Sequence, residues 1–307
     1  MPTKKETKTT QMKAQLEAQQ AQLVEFVISQ LESGVSWVKC WDGLVRNLPY
    51  SNSTGANYKG GNAFFLSYIA VTRGFTSTAW GTYNSWKKSG GQVRKGEKST
   101  RVLFYKPIIK MNEETGREEC VAFVMRSHNV FNRDQVDGLP AEEVQGSGEG
   151  VACKGGELYK YISNQGIKVS YAPRACYNSS RDSMTLPSTF TDEARGWSTV
   201  AHEIIHSTGH KDRLAREGVV NFDMFGSHQY SIEELVAELG SMFLCNELGL
   251  STEDSNEQSG AYCKAWAKKL QDKPEWLWKA AGDASRAVQF VKDAIAQENK
   301  KEEVQVA

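Results

Sequence analysis

Residues 197–209 read WSTVAHEIIHSTG, and the fold of the second half of the chain turns on this run. Trp197, Val200, Ala201, Ile204 and Thr208 recur at three- to four-residue intervals, which marks one face of a helix that Gly209 would stop. On such a helix His202 and His206 lie one turn apart and project from the same side. Two imidazoles so placed can ligate one Zn2+, and Glu203 between them reaches a water on the metal. A catalytic zinc site takes three protein ligands and keeps one position open, so a third ligand must come from elsewhere in the chain.

Residues 231–238, SIEELVAE, offer it. Glu234 and Glu238 are four apart, on one face of a second expected helix, so that one carboxylate can bind the metal and the other can orient a ligand histidine. The run resembles the E-x-x-A-E/D or E-x-x-x-D helix of zincin peptidases of the glutamate-ligand type, in which the first Glu is the ligand. That resemblance makes Glu234 the expected third ligand and Glu238 its support. Glu233 lies about 100° round the helix and is the less favoured ligand. The competing reading is an acidic helix start that faces water. Peptide hydrolysis is the chemistry this set could perform: zinc lowers the pKa of a water and polarises a carbonyl, and Glu203 accepts the proton and hands it to the leaving amine. An oxyanion donor is expected just before the ligand helix, at Tyr230 rather than His228. Ser183–Leu186 reads as a strand on which a substrate peptide could add.

Outward from this motif, 307 residues are enough for two domains with separate cores. With 39% apolar and 24% charged residues the composition is that of a soluble globular chain, and no stretch approaches the roughly 20 apolar residues of a membrane span. No membrane partner is expected. The basic N-terminus has no apolar run behind it, so a cytoplasmic location is expected. Six widely spaced cysteines without a C-x-x-C argue against a disulfide framework and a cysteine zinc site.

A net charge of zero conceals a division. Residues 1–140 hold 19 Lys+Arg against 12 Asp+Glu, and within 35–110 there are 12 basic residues against Asp42 and Glu97 alone. Such a field suits a polyanion. The same region interleaves Tyr58, Trp86 and other aromatics with Lys59, Arg73, Lys87, Lys88, Arg94, Lys95, Lys98 and Arg101, the mixture that single-stranded nucleic acid needs for phosphate tracking and base stacking. Most of the aromatics could equally be core, whereas the loop GANYKGGN and the turn QVRKGEKSTR are too polar and glycine-rich to hide their side chains. The runs TRVLFYKPIIK and ECVAFVMRSHNVF read as a β-hairpin. The expected organisation is α+β in two domains: a DNA-binding domain over 1–135 with 1–12 disordered, a linker over 136–156, a mainly helical domain over 157–297, and a disordered tail over 298–307.

The order of motifs is itself recognisable. An N-x-x-T-G-x-x-Y-x-G-x-N segment (Asn52–Asn62), W-x-T-Y-x-x-W-x-K (Trp80–Lys88), V-R-K-G-E-K (Val93–Lys98), F-N-x-x-Q-V-x-G-L-P (Phe131–Pro140), then HExxH-x-x-G-H and E-E-L-V-A-E-L-G together resemble the ArdC family of antirestriction proteins. The resemblance covers about residues 15–295. It implies a single-stranded-DNA-binding domain joined to a zincin-like metallopeptidase domain, encoded on a mobile element and protecting incoming DNA from host restriction. Two other functions compete: a DNA-tethered protease, similar to SprT-like enzymes, that cleaves a restriction or other DNA-bound protein, and a DNA-binding module whose zinc is purely structural.

Overall fold

The computed structural model describes residues 4–33, 48–111, 118–140, 155–189, 193–221, 228–250 and 268–306. The chain forms two compact units. The first comprises Met1–Phe26, Leu48–Tyr58 and Asn62–Glu142; the second comprises Val27–Asn47, Lys59–Gly61 and Glu143–Ala307.

The first unit is built on a four-stranded sheet in the order β1 (Tyr50–Ser51), β2 (Ala79–Gly81), β5 (Glu118–Asn132) and β4 (Thr100–Met111). β4 and β5 pair antiparallel from Thr100↔Val130 outward, as the alternation of their sequences requires, with an irregularity between Ile108 and Ile109. Helix α2 (Gly60–Arg73) buries Ala63, Phe64, Phe65, Leu66 and Ile69. Each such side chain, fully removed from water, contributes about 1.5–3 kcal/mol for the larger residues. A short helix, α3 (Tyr83–Lys88), is capped by Thr82, whose hydroxyl accepts from the Ser85 N–H. A second small sheet pairs β3 (Gln92–Val93) with β6 (Val136–Asp137).

Helix α1 runs over Lys4–Glu32 and so includes residues expected to be disordered. Its Gln, Lys, Glu and Ala content is strongly helix-forming, and the helix anchored by buried Leu23, Val24 and Val27 propagates through it. The same physics extends the last helix over Glu275–Val306, through most of the expected tail.

In the second unit, α4 (Gly155–Asn164) leads into a three-stranded sheet of β7 (Lys168–Tyr171), β9 (Ser183–Leu186) and β8 (Cys176–Asn178), in that spatial order. Helix α5 (Glu193–Thr208) and, beyond the short α6 (Glu217–Val220), helix α7 (His228–Glu247) then pack with α8 (Glu275–Val306). Val200, Ala201, Ile204 and Thr208 of α5, four of the five residues that the sequence periodicity marks, are buried at 0% exposure, as is Ile205 beside them, while Trp197 is half-buried; Leu235, Val236 and Leu239 of α7 are buried at 0–1%. Gly240 lets these two helices meet closely, because a Cβ there would stand 2.8 Å from Ile205 Cγ2. That approach brings the histidines of one helix to the carboxylates of the other. Among the described residues no helix is long and apolar enough to cross a membrane.

Candidate functional site

His202 and His206 turn their Nε2 atoms towards each other at 3.1 Å. Glu234 of α7 faces both, with Oε2 3.7 Å from His202 Nε2 and Oε1 3.6 Å from His206 Nε2. Tetrahedral zinc with bonds near 2.0–2.1 Å sets its ligand atoms about 3.4 Å apart. The donor atoms, all within 4.8 Å of one another, are close to that spacing, and they form the cluster of potential metal ligands found among the described residues. Burial and the neighbouring His206 push His202 down to about 3. Burial also opposes charge on His206, yet the Glu233 hydrogen bond and the surrounding carboxylates push it up to about 9.

These groups line an open cleft of about 330 Å³, shared with Ala175, Cys176, Tyr177, Ser179, Gly218 and Val219. The His202 and Glu234 side chains keep 21% and 23% exposure, so a ligand arriving from solvent can reach them. Glu203 is 7% exposed and receives a hydrogen bond from the backbone N–H of Tyr177; burial above all, and then Glu234, raise its pKa.

Two expectations change. Ser183–Leu186 is the central strand of its sheet, paired on both sides, and cannot accept a peptide; the strand at the cleft is its edge neighbour Cys176–Asn178. Spacing along the sequence cannot reveal which strand of a crossover sheet lies outermost. Glu238, the expected support of a ligand histidine, hydrogen-bonds no histidine among the described residues; burial and Glu234 push its carboxyl up to about 7. The carboxylate that holds a ligand is Glu233, whose Oε1 lies 3.1 Å from His206 Nδ1. Glu233 is gripped in turn by Arg216. Sequence spacing weighs Glu233 only as a ligand, and Arg216 has no sequence signal, because it reaches the site from a loop. Tyr230 and His228 have side chains outside the described residues.

In the first unit the expected DNA contacts fall into different environments. Lys87, Lys88, Lys95 and Lys98 are exposed. Arg73 is exposed and donates to the Lys98 carbonyl at 2.9 Å. Arg101 donates to Asn129 Oδ1 at 3.2 Å and to Gln15. Arg94 is held by Glu97 at 2.8 Å and Asp137 at 3.2 Å and also donates to the Asp134 carbonyl, so its charge is already compensated. Lys59 falls in the second unit and donates to Gln289 Oε1 at 2.7 Å. Trp86 is 3% exposed in a cluster with Ala79, Val93 and Val136, which excludes it as a stacking surface. Its large apolar area and its N–H bond to the Phe131 carbonyl explain why it is core. An aromatic face does remain open elsewhere: Phe104, 42% exposed, lies between half-buried Tyr58 and exposed His128, with ring centroids at 6.3 and 5.6 Å. Exposed Arg126 stands opposite Phe104 in the hairpin.

Residues 17–131 match the family model described as the N-terminal domain of anti-restriction factor ArdC, and residues 157–283 match that of a zincin-like metallopeptidase. Two DNA primases TraC of Escherichia coli are each 34% identical over 88% of this chain, which spans 19% and 26% of their lengths. A Sinorhizobium fredii (strain NBRC 101917 / NGR234) protein, y4eC, is 28% identical over 86% of this chain and 88% of its own. The crystal structure of the antirestriction protein ArdC from plasmid R388 is similar in its metal-free form, at 34% identity and a TM-score of 0.66 over 90% of this chain and 97% of that one. Its Mn(II)-bound form gives 33% and 0.67, over 90% and 98%.

Proposed function

The chain belongs to the ArdC family of antirestriction proteins, and from that premise we propose that it coats single-stranded DNA entering a cell and shields it from restriction, with a zinc-dependent peptidase domain attached. The proposed division places DNA binding in residues 1–135, a linker at 136–156 and the peptidase in 157–297, all acting in the cytoplasm.

The observation that carries the peptidase half is the open cleft in which Glu203 stands beside a solvent-accessible His202–His206–Glu234 set. A closed structural zinc site needs no acceptor for a proton and no access. His202, His206 and Glu234 would hold a zinc ion, which would supply a Lewis acid and acidify a water near neutral pH. Two imidazoles and a carboxylate are a catalytic zinc donor set, and the Mn(II) form of the R388 protein makes metal identity a question for elemental analysis. Glu203 takes the proton of the attacking water and returns it to the leaving amine; burial, which raises its pKa, suits it to both steps. A substrate peptide adds along the free edge of Cys176–Asn178, which lines the same cleft. Tyr230 is the proposed donor to the oxyanion.

The DNA half is supported by the exposed lysines and by the Tyr58–Phe104–His128 face. Stacked bases contribute about 1–3 kcal/mol each, and cations contribute through phosphate contacts. A conjugative transfer assay into a restricting host tests the whole reading. Protection should survive Glu203→Ala and fall when Lys87, Lys88, Lys95 and Phe104 are replaced together. Loss of protection with Glu203→Ala at normal protein level would move the function into the peptidase domain, acting on a restriction or other DNA-bound protein.

A further inference from the structure

Arg216 stands immediately after Ala215, a non-glycine residue at φ 47°, and its side chain is 9% exposed. All three guanidinium nitrogens are used. Nε donates to Glu233 Oε2 at 2.9 Å and Nη2 to Glu233 Oε1 at 2.7 Å, a two-pronged grip; Nη2 also reaches the Ile205 carbonyl at 2.7 Å and Nη1 the Thr208 hydroxyl at 2.6 Å. The Glu233 side chain, 6% exposed, presents the same Oε1 to His206 Nδ1 at 3.1 Å. Ile205 immediately precedes that histidine. One side chain therefore ties the end of the histidine helix to the carboxylate that faces its second ligand.

We propose that Arg216 is a positioning residue for the metal: through Glu233 it keeps the proton of His206 on Nδ1, so that Nε2 presents a lone pair towards His202 Nε2 and Glu234. A neutral imidazole left to itself divides its proton between the two nitrogens, and only the form with Nε2 free can bind here. A carboxylate at Nδ1 selects that form, as partners of ligand histidines do at metal sites generally. The carboxylate must itself be fixed, and a planar guanidinium does so with two parallel bonds that an ammonium cannot reproduce. Glu238, the position that helical periodicity nominates, makes no such bond. The support comes instead from the residue immediately before the metal ligand, stabilised from a loop. This inference rests on the metal reading above.

The test uses the full-length chain, freed of metal. Zn2+ and Co2+ affinities are measured by chelator competition for wild type, Arg216→Ala, Arg216→Lys, Glu233→Gln and Arg213→Ala, and the His206 ring nitrogens are followed by NMR before metal is added, at a pH high enough for the ring to be neutral. Arg213 is the control: it is 5% exposed, ion-paired with Asp182 at 2.8 Å and donates to the Ser207 carbonyl beside His206 at 3.0 Å, yet makes no bond to Glu233. Wild type should show His206 protonated at Nδ1. Arg216→Ala should show a mixture of tautomers and roughly 10- to 100-fold weaker metal binding. Arg216→Lys should recover thermal stability but not affinity, and Glu233→Gln should shift both readouts in the same direction as Arg216→Ala. Arg213→Ala should lose stability with tautomer and affinity unchanged. Should Arg216→Ala fail to fold, Arg216→Lys and Glu233→Gln carry the comparison. Wild-type tautomer and affinity in Arg216→Lys and Glu233→Gln would overturn the proposal, as would an equal loss of affinity in Arg213→Ala, which would reduce Arg216 to a general clamp. Failure of wild type itself to bind metal would instead remove the metal reading, and the proposal with it.

Discussion

Trp86 donates its indole N–H to the carbonyl of Phe131 at 3.0 Å, from a position 3% exposed between helix and sheet. Trp86→Ala should therefore act on stability, costing about 3–5 kcal/mol for the cavity and the orphaned carbonyl. Phe104→Ala should do the reverse: a small change in unfolding midpoint, and a loss of affinity for a single-stranded oligonucleotide of about 1–3 kcal/mol. Denaturant melts and fluorescence anisotropy on both variants separate the two roles. Equal affinity in Phe104→Ala and wild type would remove stacking on that face.

The cations should divide in the same way. Lys87→Ala with Lys88→Ala should weaken DNA binding and lower the salt slope, which is about 0.7 per phosphate contact on a single strand. Arg94→Ala should change that slope less, because Glu97 and Asp137 already hold its charge. Titrations between low and moderate salt read the difference directly.

Metal binding should stabilise the fold by mass action, about 2.7 kcal/mol at a hundredfold excess over Kd. Chelation should lower the thermal midpoint of wild type and leave that of a His202→Ala, His206→Ala variant unchanged. Elemental analysis should find one ion per wild-type chain and none in the variant.

Glu203→Gln should trade activity for stability. Burial raises the folded pKa of Glu203 above its ordinary 4.5. The folded state therefore holds this proton more tightly than the unfolded state. The stabilisation is fully present below the unfolded pKa and is lost as pH rises through the folded one. At neutral pH an ionised Glu203 costs stability, so the metal-free Gln variant should melt higher than wild type. Its proteolysis should drop by roughly 10²- to 10⁴-fold.

Asp182 has the opposite sign. Burial works against its charge, but the Arg213 and Tyr177 hydrogen bonds prevail and lower its pKa. Its contribution is full above the unfolded value of 3.8 and is lost as pH falls through the folded one. Asp182→Asn should destabilise the neutral protein by less than the roughly 3–5 kcal/mol of a fully buried broken pair, since Asp182 is 30% exposed. The deficit should shrink in acid. A deficit that stays constant down to low pH would show that the pair does not carry it.

The motif carriers were legible in the linear chain because their meaning is local. One helical turn fixes the relation of His202 to His206, and alternation fixes the faces of the hairpin strands, whatever the rest of the molecule does. The same rule put Glu234 and Glu238 on one face, and the resemblance to glutamate-ligand zincins chose Glu234 between them. That periodicity set Glu238 as the support and weighed Glu233 only as a ligand, whereas Glu233 is the carboxylate that meets His206. Which carboxylate meets a histidine depends on the rotation and spacing of one helix against another, set here by the contact of Gly240 with Ile205 and by a guanidinium arriving from a loop.

Read alone, then, the chain reveals the α+β character, the helix that sets His202 and His206 on one face, and a basic, aromatic N-terminal half. Tertiary structure decided which aromatics are core and which face water, which strand forms the edge of the cleft, which arginine is already paired, and what orients His206. The reason is physical. Propensity and periodicity act over a few residues through the backbone, whereas burial, strand order and hydrogen-bond partnership are properties of surfaces brought together from distant parts of the chain.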